Sequence, residues 1–323
     1  MTMPRVVAAL GLVFAAGSAL RDPPRRLSAQ DGTLWNGTDV TVPWRMNKST
    51  AFNFIHIPKC AGSSFLQDSG RFLRVGDTLR GNSERSFAHT LGHARDMVVL
   101  LRDPMEHVYS QFLECKYDKW GKRVTRGTKF PGRWSMNDPK EGFGDWLAHF
   151  VHAPDHATGR PMMFKCYNPW NMQARYLTQT NRWSHGIVKH DDALPSLKIA
   201  VANLEKIGIV GLTEHYDASL CLLLFRSLDA ANVLPRSKCS CVAFLERRSK
   251  NIGTYITHRV PVHSLTSLDA DTLAMISTLV QVDMRLYEHA RRLFYNEVDR
   301  VRNATGVDLL CRSRSADRIT ATA

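Results

Sequence analysis

Lys59, Ser63 and Ser64 sit close together in Phe52-Asn-Phe-Ile-His-Ile-Pro-Lys-Cys-Ala-Gly-Ser-Ser-Phe65. One mobile cation and two hydroxyl donors at that spacing suit an anionic oxygen group. The backbone adds to them if the stretch folds as a strand, a tight turn and a helix. Free N–H groups at the helix N-terminus and the positive end of its dipole then point at one spot. Cys60, Ala61 and Gly62 supply the small residues of that turn. A second pair is Arg102 and Ser110, in Met97-Val-Val-Leu-Leu-Arg-Asp-Pro-Met-Glu-His-Val-Tyr-Ser-Gln-Phe112. About two helical turns separate them, so they can bracket one anion, the arginine through a charge-assisted fork. His89 and His93 titrate near neutral pH and are candidate proton acceptors.

The elements that must hold these residues are legible as patterns. Ile55 and Ile57 mark a short buried strand, Pro58 blocks further ladder pairing, and Leu66, Leu73 and Val75 suggest a helix after the turn. The run from Met97 to Leu101 reads as another buried strand, with Asp103 as N-cap and Pro104 in the first turn of the next helix. Arg102 therefore falls at a strand's C-terminal end, where α/β sheets bind ligands. His89 would finish a short strand over Arg85-Ser-Phe-Ala-His-Thr90 and reach the same edge, whereas His93 lies nearer the opposite one. Ile207-Gly-Ile-Val-Gly-Leu-Thr213 predicts a further strand, followed by a helix from Asp217 to Leu228. Helical patterns also cover Phe143 to Val151, the residues after Pro169, and Asp269 to Val301. Strands alternating with helices predict one α/β domain around a central, mostly parallel sheet. The ATP- and GTP-binding spacing G-x-x-x-x-G-K-[ST] is absent.

Ile57-Pro-Lys-Cys-Ala-Gly-Ser-Ser-Phe65 resembles the 5′-phosphosulfate loop of Golgi carbohydrate sulfotransferases, commonly I-P-K-T-G-G-T-S-F. Leu101-Arg-Asp-Pro-x-x-x-x-x-Ser110 resembles their 3′-phosphate motif, L-R-D-P-x-x-R-x-x-S. Such enzymes, the heparan sulfate 2-O- and 6-O-sulfotransferases among them, move sulfate from 3′-phosphoadenosine 5′-phosphosulfate (PAPS) to a sugar hydroxyl. Weaker matches in the same order are Asn171-Met-Gln-Ala-Arg-Tyr-Leu177, Val210-Gly-Leu-Thr-Glu-His-Tyr-Asp-Ala-Ser-Leu220 and Asp283-x-x-Leu-Tyr-x-x-Ala-x-x-Leu-Phe294. Cys60, Ala61 and His107 depart from the usual Thr, Gly and Arg.

The resemblance implies a P-loop-like three-layer fold, PAPS as sulfate donor, no metal requirement and a glycan acceptor. Lys59 would neutralise the leaving phosphate, and the turn from Cys60 to Ser64 would hold the 5′ oxygens. Arg102 and Ser110 would grip the 3′-phosphate. The base would be a His or Glu upstream of the second motif, often within Gly-His; Gly92-His93 fits by motif, His89 by placement. A late basic loop, Arg247-Arg-Ser-Lys-Asn-Ile-Gly-Thr254, would offer Arg248 and Lys250 to the phosphates. Asn171, Gln173 and Arg175 fall in matched stretches with structural roles equally open, and Glu214, in another, reads as structural.

The chain has 323 residues and a net charge of +13, from 43 Lys+Arg against 30 Asp+Glu. That surplus favours anionic partners, and with no zinc-finger or RNP-like signature an anionic glycan suits it better than nucleic acid. Tyr117, Trp120, Phe130 and Trp134 alternate with Lys119, Lys122, Arg123, Arg126, Lys129 and Arg133 in a loop-like stretch suited to sugar rings and acidic groups. The 7 cysteines form no metal spacing, and their odd number leaves one unpaired within the chain, for which Cys60 is the candidate. The apolar run Val6 to Leu20 reads as a signal-anchor or a cleaved signal peptide, residues 21–50 as a stem, 51–310 as the catalytic domain and 311–323 as a disordered tail. Asn36, Asn47 and Asn303 head N-glycosylation triplets. With the resemblance, these features point to a Golgi membrane protein with a lumenal domain, or alternatively a secreted one. Other readings of the same residues are a nucleotide-dependent kinase and a sulfotransferase-like glycan-binding protein without catalysis.

Overall fold

The structure, a computed structural model, describes residues 52–71, 79–80, 84–90, 96–125, 135–151, 166–179, 194–227, 238–249 and 260–310. The apolar N-terminal segment, the stem, the tail, Asn36, Asn47, His93, Lys250 and the aromatic-basic residues from Arg126 to Trp134 lie outside them. Among the described residues no helix is long and apolar enough to cross a membrane.

Three full strands, β1 (Phe52–Ile55), β3 (Asp96–Leu101) and β4 (Ile209–Leu212), are joined at one edge by the short β2 (Leu79–Arg80). Their order is β2-β1-β3-β4 and every pairing is parallel, with Ile55 opposite Val99 and Leu101 opposite Leu212. The protein is therefore α/β, as the alternating pattern predicts. The strands are buried on both faces, which is why Met97 to Leu101 of β3 and all of β4 read as apolar runs rather than as alternation; in β1 the one polar residue, Asn53, is buried too and donates to the Thr90 carbonyl at 3.2 Å.

Helices flank this sheet. α1 (Gly62–Arg71) follows β1, and α2 (Phe87–Thr90) precedes β3. α3 (Pro104–Tyr117) and α4 (Lys119–Val124) follow β3. Then come α5 (Phe143–Val151), α6 (Met172–Thr178) and α7 (Leu197–Leu204) before β4, and α8 (Tyr216–Ser227) and α9 (Cys241–Ser249) after it. α10 (Ala270–Leu279) and α11 (Gln281–Thr305) close the described chain. Asp103 caps α3 as its sequence predicts, accepting from the N–H groups of Met105 and Glu106 at 3.0 and 3.1 Å. Gly211 admits α8 close to β4: a Cβ there would lie 2.8 Å from the Ser219 side chain, whose hydroxyl bonds the Leu212 backbone.

Several expectations are corrected. Residues 87–90 form a helix, not a strand, because Thr90 turns its hydroxyl back onto the Ser86 and Phe87 carbonyls. The edge strand of the sheet is Leu79–Arg80 instead. Arg247 and Arg248 lie at the end of helix α9 rather than in a loop. Arg247 is held in an ion pair with Asp217. The segment from Lys116 onward also begins as helix, with the buried Lys116 ammonium donating to the Asp138 and Glu141 carbonyls at 2.7 and 2.9 Å. The helical pattern from Asp269 onward is two helices, broken at Val280, where φ is −120°.

Candidate functional site

β1 ends at Ile55 and the chain turns at Pro58 and Lys59 before entering α1. Lys59 and Ala61 adopt left-handed backbone, with φ of 61° and 58°, which folds the turn tightly enough to start the helix at once. Gly62 is required there, because a Cβ would run into the His56 ring. The N–H groups of Gly62 and Ser63, in the first turn of α1, have no acceptor among the described residues. Cys60 is a buried, free thiol as the odd cysteine count predicts, and burial pushes its pKa up, which makes it packing rather than a thiolate.

Arg102 leaves the end of β3 beside that turn, its Nη1 donating to the Lys59 carbonyl at 3.4 Å and its Nη2 lying 3.6 Å from Glu106. Its backbone is fixed on both sides. The Gln173 amide accepts from the Arg102 N–H at 3.1 Å and donates to the Arg102 carbonyl at 2.9 Å, so it stands in for a neighbouring strand. Glu214 accepts from the Asp103 N–H and from the Tyr287 hydroxyl, each at 2.7 Å. Gln173 is held in turn by Asp283, a buried carboxylate accepting from the Gln173 and Ala174 N–H groups at 3.1 and 2.7 Å. Burial raises the Asp283 pKa to about 7. Asn171 reciprocates by accepting from the N–H groups of Val282 and Asp283 at 2.8 and 3.2 Å. The start of α6 and the start of α11 thus cap each other.

His107 is part of this frame. Its ring lies 2.8 Å from the Pro58 carbonyl through Nε2, and a carbonyl only accepts, so Nε2 carries the hydrogen and Nδ1 accepts from Gln111 at 3.2 Å. Burial drives its pKa down to about 3, and the ring is neutral. It pins α3 to the turn and takes no part in anion binding.

The turn, Arg102 and Ser110 meet in one cavity of about 420 Å³ at the C-terminal edge of β1, β3 and β4. Lys59, Ala61, Gly62, Ser63, Ser64, Arg102 and Ser110 all line it. Cys60 is buried behind the turn, and His89, on α2, is not a lining residue. The Arg248 side chain and all of Lys250 lie outside the described residues.

Other lining groups carry no local signature in the sequence. Glu84, Glu114 and Tyr167 form an acidic wall, with the Tyr167 hydroxyl 3.5 Å from each carboxylate. Lys59 is ion-paired to Glu114, and both are largely buried. Burial, then the Glu114 charge, raises the Glu84 pKa to about 7. Glu114 and Tyr167 adjoin Cys115 and Cys166, and those cysteines are bonded to each other, so one disulfide sets both on the wall. A second disulfide joins Cys221 and Cys239. His56, Thr213 and His263 complete the polar lining, and Val260 to Val262 form an apolar side. His56 and Thr213 lie inside stretches that the sequence singles out, whereas Glu84, Glu114, Tyr167 and His263 carry no such mark.

The arrangement offers two cations, three serine hydroxyls and unsatisfied backbone donors to an anion, beside a carboxylate poised near neutral pH. The chain matches no family model, and no curated protein matches it.

Proposed function

We propose that the protein is a sulfotransferase that moves a sulfuryl group from PAPS to a hydroxyl of a glycan. The observation that carries this reading is the meeting of two motifs distant in sequence, Lys59 to Ser64 and Arg102 with Ser110, in one cavity. A mononucleotide with phosphate groups at two positions needs two separate anion sites, and the cavity has a cation and hydroxyls for each. The free Ser110 hydroxyl and the orphan N–H groups of Gly62 and Ser63 fit such a ligand. The α/β sheet with ligand-binding turns at its C-terminal edge suits a P-loop-like three-layer fold.

In the transfer, the bond between sulfur and the bridging phosphate oxygen breaks as one forms to the acceptor oxygen. The chain's residues position the partners and stabilise charge. Lys59 exchanges part of its pairing with Glu114 for the departing phosphate, Ser63, Ser64 and the α1 amides hold its oxygens, and Arg102 with Ser110 holds the 3′-phosphate. Glu84 takes the acceptor's proton: it lines the cavity, and its raised pKa suits a base working near neutral pH.

Calorimetric titration with 3′,5′-adenosine bisphosphate, 5′-AMP and ATP tests the proposal. The bisphosphate is expected to bind at least tenfold tighter than 5′-AMP, on the order of the 1.5–3 kcal/mol of a charged hydrogen bond. Arg102→Ala is expected to abolish that preference. Equal or absent binding of all three ligands would overturn the reading in favour of a kinase or a glycan-binding protein.

A further inference from the structure

His263 carries a feature that the anion-site reading leaves unused. Its Nδ1 lies 2.9 Å from the Pro261 carbonyl, which can only accept, so Nδ1 holds the hydrogen and Nε2 presents a lone pair. Nε2 is buried and has no hydrogen-bond partner, although the residue lines the cavity. Buried polar atoms left without a partner cost about 1–3 kcal/mol, and a binding site is where such a cost is recovered when the ligand arrives.

The groups around the ring locate it. From β3 and α3 these are Arg102, Glu106 and Tyr109, whose ring packs edge-on at 5.1 Å; from the turn after β1 it is Lys59. Tyr109 directly precedes Ser110 on α3, so this ring contact puts the imidazole on the Arg102–Ser110 side of the cavity. We propose that His263 is a third ligand of the 3′-phosphate, beside Arg102 and Ser110, and takes up one proton from solvent when that phosphate binds. This rests on the reading of the cavity as a PAPS site.

A phosphate dianion only accepts hydrogen bonds, so Nε2 must bring a hydrogen to meet it. In the free protein burial, with the Arg102 and Lys59 charges, lowers the His263 pKa and keeps the ring neutral, against the raising effects of the Pro261 carbonyl and Glu106. A dianion at hydrogen-bond distance reverses the balance and favours imidazolium. The proton moves from solvent to Nε2, the Nδ1–H bond to Pro261 persists, and no covalent bond changes. Affinity is then linked to pH: it falls as pH rises through the pKa of the bound state, by up to about tenfold per unit.

The test is calorimetry of the full chain with 3′,5′-adenosine bisphosphate at pH 7.5 in buffers of different ionisation enthalpy. At that pH the free phosphate, with a second pKa of about 6, is already a dianion and adds little to the proton count. Both ligands bring a 5′-phosphate to the Lys59 end, where Glu84, with its pKa near 7, takes up protons with either, so the readout is the difference between them. The expected result is close to one proton more taken up per bisphosphate than per 5′-AMP, with that difference lost in His263→Gln, which binds the bisphosphate more weakly. Wild-type binding that prefers the 3′-phosphate yet takes up no more protons than 5′-AMP does overturns the assignment and leaves the cofactor reading standing. A difference that persists in His263→Gln overturns it as well. A bisphosphate that binds no better than 5′-AMP overturns both. The difference between the two ligands in the wild type alone decides the matter if the variant does not fold.

Discussion

Glu84 and Glu114 share a wall with Lys59, and the environment divides their roles. Glu114 is paired with the lysine, while Glu84 is left with burial and a neighbouring charge, which together raise its pKa to about 7. A carboxylate raised in this way, beside one held in an ion pair, is the pattern of an acid–base assignment. The base must be deprotonated to act, so the transfer rate is expected to rise with pH through about 7. In Glu84→Gln that limb should vanish and kcat should fall roughly 10²–10⁴-fold, with bisphosphate affinity retained. A pH–rate series with both proteins checks it; an unchanged profile in the variant would move the role to His56 or to a histidine outside the cavity lining. At this scale the sequence showed the residues that sit in local motifs, Lys59, Ser63, Ser64, Arg102 and Ser110. It did not show Glu84, Tyr167 or His263, because each enters from a different element and none has a spacing to betray it.

At the scale of elements, the stretches around Asn171, Glu214 and Asp283 turn out to serve one purpose: all three hold the Arg102–Asp103 backbone. Their order was visible in the sequence, but not the function, since a glutamine imitating a strand can only be recognised once its partner is seen. The helix at residues 87–90 was missed because the Thr90 hydroxyl bonds back onto the Ser86 and Phe87 carbonyls, a local interaction that a strand pattern hides. The strands β3 and β4 were legible because burial on both faces leaves an apolar run, and β1 was legible despite the buried Asn53 within it. His107 supplies a measurable consequence of how α3 is fastened. Its folded pKa of about 3 lies below the ordinary 6.5, so below about pH 6.5 the unfolded chain binds the extra proton and stability falls as pH falls. The slope reaches about 1.4 kcal/mol per pH unit for one proton. Glu84 and Asp283, whose folded pKa values are raised to about 7, act in the opposite sense over the same range. Denaturant unfolding of His107→Gln between pH 7 and 4.5 is therefore expected to lose less stability on acidification than the wild type. Parallel curves would show that His107 is not the group responsible.

For the whole molecule, the net charge of +13 is not concentrated where the chemistry is proposed. The cavity lining holds two cations, Lys59 and Arg102, against two carboxylates, Glu84 and Glu114. The surplus therefore acts at longer range, attracting anionic partners and falling off with salt. Glycan binding is expected to weaken steeply between low and physiological salt while bisphosphate binding changes little, which titrations across that range would read directly. The fold itself is tied together by bonds that respond to another variable. Cys115–Cys166 fastens the end of α3 to the chain before α6 and, in doing so, sets Glu114 and Tyr167 beside Lys59. A thiol-rich cytosol keeps such cysteines reduced. Chain made there would keep both motifs and lose the wall that faces them, so a recombinant preparation can be full-length, soluble and inert. Where the protein is made becomes a condition of the proposed activity, as much as any residue in the cavity.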